Sequence, residues 1–235
     1  ADWGGARLPR LATAATGVAT GGGSLAGSDL GGGGSGSGTA AAARRVLAAV
    51  EAFALRGSWL KVAGDAKAVL LEAALDRSSV EAGHLAVELG TFVGYTAVRL
   101  AWRLSDAGAR AVSLELDPVH VLLARHVAAL AEQSAHIEIW TGLTYDTLAR
   151  LPEAFGLRPV SLAFMDHRGT RFHDDVRSLE QLGQFAAGGG LLADNVLKPG
   201  APLCLWDIPR SGNYDATCWS LLEFLHVGVE DWMLL

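Results

Sequence analysis

The stretch HLAVELGTFVGYTAVRLAWRLSD, residues 84–106, decides the fold. Residues 84–90 form a near-continuous apolar run, which is typical of a strand buried on both faces. Residues 95–106 carry apolar side chains at helical spacing. Gly90 and Gly94 separate the two patterns, and glycines at such a position let the backbone approach a ligand closely. The stretch therefore predicts a strand and a helix joined by a glycine turn, which either binds a ligand or is simply tight.

The alternation of strand and helix extends over most of the chain. Two helices are predicted before this stretch, and apolar runs after it predict further strands with helical segments between them. The strands are expected at residues 111–117, 136–140, 160–166, 189–195 and 226–235, and the helices at residues 39–57, 65–76, 118–133, 145–151 and 173–183. This order predicts a doubly wound, mostly parallel α/β sheet with helices on both faces. In such sheets ligands bind beyond the carboxyl ends of the strands.

The N-terminal segment differs in composition from the rest of the chain. Residues 20–38 read TGGGSLAGSDLGGGGSGSG, a composition typical of a flexible linker. We therefore predict a flexible Gly/Ser-rich tail over residues 1–38 and one folded domain over residues 39–235. That length suits a single sizeable core.

Charge and hydropathy argue against several classes of function. The formal net charge is −6 and no basic stripe is present, which argues against nucleic-acid binding. No apolar run approaches the roughly eighteen residues that span a membrane, and no secretory signal pattern is recognised, so a cytoplasmic protein is expected. Cys204 and Cys218 form no CxxC motif and are predicted to be free thiols. The sequence predicts no oligomeric state.

Polar residues stand where three of the predicted strands end. Glu115 follows the glycine turn at a distance where a carboxylate can accept both hydroxyls of a ribose. Asp166 ends the fourth strand, and Asp194 and Asn195 end the fifth. Oxygen ligands at neighbouring strand ends suit Mg²⁺. Any one of these acids is also explained by capping of the next helix, but together they predict a nucleoside-bearing cofactor such as S-adenosylmethionine beside a magnesium ion.

From about Trp59 to Leu235 the chain resembles catechol O-methyltransferase and its relatives. The resemblance rests on SWLKVAGDAKAVLLEAAL, VELGTFVGYTAVRLAWRLS, SLELDP, FMDHRGTRF, LLADNVLKPGAP and YDATCWSLLEF, which keep the order and spacing of that family. It implies a Rossmann-like methyltransferase sheet with an antiparallel last strand. It also implies S-adenosylmethionine and Mg²⁺ as cofactors and a catechol-like small molecule as acceptor, as in catecholamine metabolism.

Carried over by position, the resemblance implies three groups of site residues. The cofactor site would be lined by Ala63, Glu88, Gly90, Thr96, Glu115, Leu116, Gly142, Thr144, Tyr145, Asp166 and His167, with His167 near the adenine. The metal ligands would be Asp166, Asp194 and Asn195. Trp59 would be a wall of the substrate pocket, where Asn195 would also lie, and Asp215 would replace a family glutamate that accepts a hydrogen bond from the second catechol hydroxyl.

The general base of the resembled family is missing from this sequence. The position of the family lysine is Gly169, and the aromatic residue before it is replaced by Arg168. Lys61 stands where the family often has methionine over the cofactor. Arginine stays protonated at any useful pH, so Lys198, close in sequence to the predicted metal ligands, is the first candidate base. His173 and hydroxide from bulk solvent are the alternatives.

Three functional hypotheses follow from these residues. The first is an active Mg²⁺-dependent O-methyltransferase with altered proton transfer, because the predicted metal set is complete. The second is a catalytically impaired methyltransferase-like protein that binds the cofactor or a protein partner. The third, an NAD-dependent oxidoreductase, is disfavoured because the glycines follow GxxxG and not the GxGxxG of a dinucleotide fold.

Overall fold

A computed structural model of the protein describes residues 36–57, 59–224 and 228–235. The strands are β1 Leu85–Leu89, β2 Arg110–Glu115, β3 Ile137–Thr141, β4 Val160–Met165, β5 Phe185–Ala193, β6 Cys218–Leu222 and β7 Glu230–Leu234. They form one seven-stranded sheet in the order β3-β2-β1-β4-β5-β7-β6. The first five strands are parallel, and β7 runs antiparallel to both β5 and β6.

Helices cover both faces of this sheet. They are α1 Gly36–Gly57, α2 Ala66–Arg77, α3 Tyr95–Ser105, α4 Pro118–Leu130, α5 Thr144–Leu148, α6 Leu151–Phe155, α7 Phe172–Gln181 and α8 Pro202–Asp207. Successive residues of β1 alternate between two apolar clusters: Ala86 packs with α1 to α4, whereas Val87 packs with α5 to α8. Because β1 is therefore buried on both faces, its sequence is apolar at almost every position.

The register of the parallel strands aligns their carboxyl ends. Leu89 of β1 lies beside Leu114 of β2 and Met165 of β4, and Met165 lies beside Ala193 of β5. The residues that follow these strands therefore meet at one edge of the sheet. This confirms the doubly wound fold, in which ligands bind beyond the carboxyl ends of the strands.

The C-terminal part of the fold differs from the sequence prediction. The sequence indicated one last strand at the sheet edge, but β7 lies between β5 and the unpredicted β6, which forms that edge. The short helix α8 was also missed, and the predicted helix at residues 145–151 is two short helices, α5 and α6. Each of these elements has only five or six residues, too few to show a clear hydrophobic period.

Three further expectations concern the ends and the surface of the domain. Residues 1–35 of the predicted tail lie outside the described residues, and α1 begins at Gly36, slightly before the predicted start of the domain. Among the helices described, none is both long and apolar enough to span a bilayer. Cys204 is buried, Cys218 is half-buried, and neither forms a disulfide, as predicted.

Candidate active site

The carboxyl ends of the strands open into a cavity of about 790 Å³, a size typical of small-molecule pockets. Most of the predicted site residues line it: Ala63, Gly90, Glu115, Leu116, Gly142, Thr144, Tyr145, Asp166, His167, Asp194, Asn195 and Lys198. Glu88 and Thr96 are buried and do not line the cavity. The structure thus brings together residues from the ends of β1 to β5, which are far apart along the chain.

One half of the cavity is built on the glycine turn after β1. Gly90 has a φ of +100°, and a Cβ there would lie 2.6 Å from the backbone oxygen of Asp166, so only glycine fits. The backbone N–H of Phe92 donates to Glu115 Oε2 at 2.8 Å. We refer to Gly90, Phe92, Glu115, Thr144 and His167, which all line the cavity, as the glycine-turn half.

Glu115 is held in place by backbone groups and does not cap a helix. Its Oε1 accepts from the N–H of Asp117 at 3.0 Å, and its Oε2 accepts from Phe92. Asp117 is the residue that caps α4, because its own carboxylate accepts from the N–H of Val119. Capping therefore does not explain Glu115, whose carboxylate lines the cavity.

A buried aspartate that sequence reasoning missed supports two residues of the glycine-turn half. Asp175 accepts from the hydroxyl of Thr144 at 2.8 Å and lies 2.7 Å from His167 Nε2. Its side chain is fully buried, so the contact with His167 is shielded from solvent. His167 Nδ1 is also buried and has no hydrogen-bond partner among the described residues. Asp175 thus fixes both side chains against the cavity wall.

Glu88 lies beneath the glycine turn as a second buried acid. It accepts a hydrogen bond from Ser113, whereas its Oε1 has no partner in the part of the chain described. Burial raises its pKa well above the ordinary value, and repulsion by Asp166 and Glu115 adds to the effect. The buried environment therefore disfavours the ionised form of Glu88.

The other half of the cavity contains the predicted metal ligands. Asp166 and Asp194 directly follow the paired residues Met165 and Ala193, so the two carboxylates belong to neighbouring strand ends. Burial raises the pKa of Asp166 well above its ordinary range, and repulsion by Asp194 raises it further. Burial also raises the pKa of Asp194 to about 6, although Lys67 partly offsets this effect.

Lys67 is at the centre of this half. Its Nζ lies 2.7 Å from Asp194 Oδ1, 2.8 Å from Glu223 Oε1 and 3.5 Å from Asp231 Oδ2. The side chain is only 4% exposed. Burial disfavours its charged form, but attraction to Asp194 and Glu223 outweighs burial and raises the pKa of Lys67. Lys67 therefore stays protonated.

Asn195 completes this group, which we call the lysine cluster: Lys67, Asp194, Asn195, Glu223 and Asp231. Asn195 Nδ2 donates to Asp231 Oδ2 at 2.5 Å and to Glu223 Oε1 at 3.3 Å. Its backbone N–H donates to Asp194 Oδ1 at 2.6 Å. With Nδ2 turned toward the acids, the amide oxygen of Asn195 is left to accept from or coordinate a ligand.

The metal prediction stays a prediction at this stage. Within residues 36–57, 59–224 and 228–235, no group of three or more His, Cys, Asp or Glu side chains is arranged to hold a metal ion. The predicted set has two carboxylates and one amide, and one of its carboxylates is paired with Lys67.

Two residues assigned to the substrate lie elsewhere. Asp215 lines a separate cavity beside the start of β5, not the one at the strand ends, and the acids that accept from the amide of Asn195 are Asp231 and Glu223. Trp59 does not line the cavity; it is 63% exposed and packs edge-on against Phe53.

Gly169 is fixed by packing. A Cβ at this position would lie 2.5 Å from the backbone oxygen of Gly200 and 3.1 Å from its carbonyl carbon. The loops after β4 and β5 therefore touch at a point that leaves no room for a side chain. Lys198 is exposed and lines the cavity, and its backbone N–H donates to Asp231 at 3.0 Å.

Lys67, Glu223 and Asp231 were not predicted as site residues. Lys67 is the one charged residue among the buried positions of α2, a pattern that signals a buried partner. Glu223 and Asp231 are acids within otherwise apolar C-terminal segments. None of these signals identifies the partner, because Lys67 and Glu223 are 156 residues apart.

Comparison with known proteins agrees with this arrangement. A family model described as a methyltransferase domain matches residues 87–196. Catechol O-methyltransferase B of Danio rerio is 32% identical over 186 residues, which cover 79% of this chain and 69% of that protein. Catechol O-methyltransferase of Mus musculus is 31% identical over 183 residues, covering 77% and 68% of the two chains.

Solved structures support the same fold at lower identity. The O-methyltransferase TomG of Streptomyces achromogenes, in complex with SAM, has a TM-score of 0.60 at 21% identity and covers 80% of this chain and 87% of its own. The O-methyltransferase of Bacillus cereus, in complex with SAH, has a TM-score of 0.57 at 20% identity, with coverage of 79% and 95%. The fold, the strand-end cavity and the identity to the zebrafish and mouse proteins together show that the chain belongs to the catechol O-methyltransferase family.

Proposed function

We propose that this chain transfers a methyl group from S-adenosylmethionine to a hydroxyl of a catechol-like small molecule in a Mg²⁺-dependent reaction. The observation that carries the proposal is the convergence of Asp166, Asp194 and Asn195 on a cavity that is also lined by Glu115. Family membership gives the reaction class, and these side chains support the proposal of a catechol-like acceptor and a bound Mg²⁺ ion.

The glycine-turn half fits the nucleoside part of the cofactor. Each oxygen of Glu115 accepts one backbone N–H and has a further lone pair for a ribose hydroxyl. Gly90 and Gly142 have positive φ values, and both line the same cavity. His167, held by Asp175, presents a fixed ring to the cavity. The SAM and SAH complexes of the two structural relatives support the same use of this half.

The lysine cluster and Asp166 fit a small divalent cation. Four carboxylates, those of Asp166, Asp194, Glu223 and Asp231, lie in or beside the lysine cluster, and Lys67 is the ammonium that pairs with three of them among the described residues. Burial raises the pKa of Asp166, and repulsion by Asp194 outweighs the attraction of Lys67 and raises it further. Carboxylate and amide oxygens are the ligands that Mg²⁺ prefers, so Asp166, Asp194 and Asn195 would hold it.

The chain's own residues orient the acceptor. When bound, Mg²⁺ favours the ionised form of a coordinated hydroxyl, and S-adenosylmethionine supplies the methyl group. Lys67 and the Asn195 N–H fix the carboxylate of Asp194, and Asp231 fixes the amide of Asn195. Glu223, beside that amide, accepts a hydrogen bond from the second hydroxyl, the role first assigned to Asp215. Positioning of this kind accounts for much of the rate acceleration in such a methyl transfer.

Proton removal falls to Lys198 in this proposal. Lys67 is held in its protonated form, and Arg168 and Arg171 do not lose their proton at useful pH. His173 lies 3.3 Å from the carboxylate of Asp207 and does not line the cavity. Lys61 and Lys198 both line the cavity, and Lys198 is the one close in sequence to Asp194 and Asn195.

One observation supports a second candidate function, a cofactor-binding protein with little or no activity. The backbone of Gly200 leaves no room for a side chain at Gly169, where the resembled family has its lysine base. The residues of the glycine-turn half do not depend on this contact. Such a protein would bind S-adenosylhomocysteine and transfer no methyl group.

The test is methyl transfer from labelled S-adenosylmethionine to a simple catechol, with Mg²⁺ and with a chelator. We expect transfer only with Mg²⁺, and a loss of at least about a hundredfold in Asp166→Asn because a metal ligand is removed. Lys198→Gln is expected to lower kcat. Asp106→Asn, an exposed acid at the end of α3, is the matched control.

Calorimetric titration with S-adenosylhomocysteine separates the two candidates. Cofactor binding by the wild type without transfer to any acceptor contradicts the enzyme and supports the binding protein. Transfer that continues undiminished in the chelator contradicts the magnesium part of the proposal alone.

A further inference from the structure

Besides Lys198, three cationic side chains that are exposed or partly exposed line the cavity. Lys61 belongs to the loop between α1 and α2, and Arg168 and Arg171 belong to the loop after β4. Lys61 and Arg168 are exposed, and Arg171 is partly exposed. We call Lys61, Arg168 and Arg171 the basic rim. The loop that holds the two arginines is fixed to the loop after β5 by the contact of Gly169 with Gly200.

The basic rim has little compensating charge. Arg171 lies 3.0 Å from Asp174, but the two side chains are 43% and 53% exposed, and ion pairs of this kind are weak. Neither Lys61 nor Arg168 forms an ion pair with any carboxylate in the three described segments of the chain. Their charges are therefore available to a ligand.

Most acids of the same cavity are engaged with other groups of the protein. Glu115 accepts two backbone N–H groups, and Asp194, Glu223 and Asp231 surround Lys67. Glu230, which also lines the cavity, accepts from the hydroxyl of Ser220 and from Trp232 Nε1. Asp166 is next to Asp194 at the strand ends. None of these contacts involves the basic rim, so they do not neutralise its positive charge.

We propose that the acceptor carries an anionic group, a carboxylate or a phosphate, at the end remote from its hydroxyls, and that the basic rim binds it. This inference rests on the proposed function, because it assigns the hydroxyls to the lysine cluster. Arginine binds carboxylate and phosphate oxygens through paired donors. A protonated amine at the same position is repelled by Lys61, Arg168 and Arg171.

The test compares acceptors that differ mainly in the charge of the side group: dihydroxyphenylacetate, neutral dihydroxyphenylethanol and dopamine. Binding is measured by calorimetry with S-adenosylhomocysteine and Mg²⁺ present. We expect dihydroxyphenylacetate to bind about tenfold more tightly than dihydroxyphenylethanol, and dopamine to bind more weakly than either. The affinity of the phosphate ester of dihydroxyphenylethanol is then compared with that of dihydroxyphenylacetate. The compound that binds more tightly shows whether the basic rim prefers a phosphate or a carboxylate.

Variants and salt identify the source of the preference. Arg168→Gln is expected to lower the preference for dihydroxyphenylacetate over dihydroxyphenylethanol about three- to fivefold, and Lys61→Gln somewhat less. Arg177→Gln, an exposed arginine of α7 outside the cavity, leaves the preference unchanged. Raising the salt concentration to about 1 M shortens the range of these charges and lowers the preference in the wild type.

The outcomes that overturn the inference are distinct from those that overturn the proposed function. Equal binding of the three compounds, tighter binding of dopamine, or no binding of any of them overturns the basic rim as an anion site. Methyl transfer is followed in parallel with the same acceptors. Methyl transfer without a preference for the anionic acceptor supports the proposed activity and contradicts the anion site. Tighter binding of the anionic acceptor without methyl transfer supports the anion site and contradicts the proposed activity.

Discussion

The two halves of the cavity are held together in different ways. The glycine-turn half depends on local contacts: Glu115 is fixed by the backbone of Phe92 and Asp117, and Gly90 by its packing on the next strand. The lysine cluster includes contacts between side chains 156 and 164 residues apart. In the first half Glu115 is bonded to neutral backbone, whereas the second half balances several buried charges against one another.

This difference predicts different sensitivities. Backbone N–H groups keep their direction when a neighbouring side chain changes, so the glycine-turn half tolerates substitutions around it. In the lysine cluster, removal of one charge leaves the others without compensation in a buried site. Substitutions in the lysine cluster should therefore affect the stability of the fold, whereas loss of the Glu115 charge should affect mainly ligand binding.

The largest effect is expected for Lys67→Met. The substitution leaves Asp194, Glu223 and Asp231 without their cation, and breaking a buried pair in this way costs about 3–5 kcal/mol in the free energy of unfolding. Urea denaturation measures this loss. Lys61→Met is the matched control: Lys61 is exposed and unpaired, so its change is expected within about 0.5 kcal/mol. A loss below about 1 kcal/mol for Lys67→Met would contradict the charge balance of the lysine cluster.

The second effect is a dependence of stability on pH. The pKa of Asp194 is about 6 in the folded chain against an ordinary 3.8, so the folded state holds the proton more tightly than the unfolded state. As pH rises from 3.8 to 6 the unfolded state loses this proton first, and the free energy of unfolding falls by up to about 3 kcal/mol. The raised pKa of Asp166 acts in the same direction.

The measurement is the free energy of unfolding of the wild type relative to Asp194→Asn between these two pH values, with a chelator present. The difference is expected to shrink when Mg²⁺ is added, since a bound cation stabilises the ionised carboxylate. A wild type that gains stability relative to Asp194→Asn over this range would show that Lys67 alone compensates Asp194.

The same comparison explains how far the sequence predicted the molecule. The strand, the glycine turn and the position of Glu115 were predicted because each depends on a continuous local pattern. Asp166 and Asp194 were correctly expected side by side, because neighbouring parallel strands align their ends. Glu223 and Asp231 were missed, since their placement depends on β6 and β7. Asp215, which the resemblance implies at the substrate, lines another cavity.

The third effect concerns Gly169, where the two loops meet. The Cβ of any other residue would lie 2.5 Å from the oxygen of Gly200, so Gly169→Ala is expected to cost about 1–3 kcal/mol. Gly169→Lys meets the same contact and is expected to give no gain in methyl transfer. Gly38→Ala is the matched control, because a Cβ at Gly38 in α1 meets nothing within 4 Å. Activity gained in Gly169→Lys without loss of stability would show that the loops separate readily.

The smallest effect on stability is expected in the glycine-turn half. Glu115→Gln keeps the size of the side chain but removes the charge that faces the cavity, and hydrogen bonds to charged groups contribute about 1.5–3 kcal/mol. Binding of S-adenosylhomocysteine, measured by calorimetry, is expected to weaken at least about tenfold, whereas the free energy of unfolding without ligand changes by less than about 1 kcal/mol. Glu138→Gln, an acid of β3 outside the cavity, is the control for cofactor binding. A Glu115→Gln protein that binds S-adenosylhomocysteine normally but unfolds easily would reverse the comparison, since Glu115 would then support the turn and not the ligand.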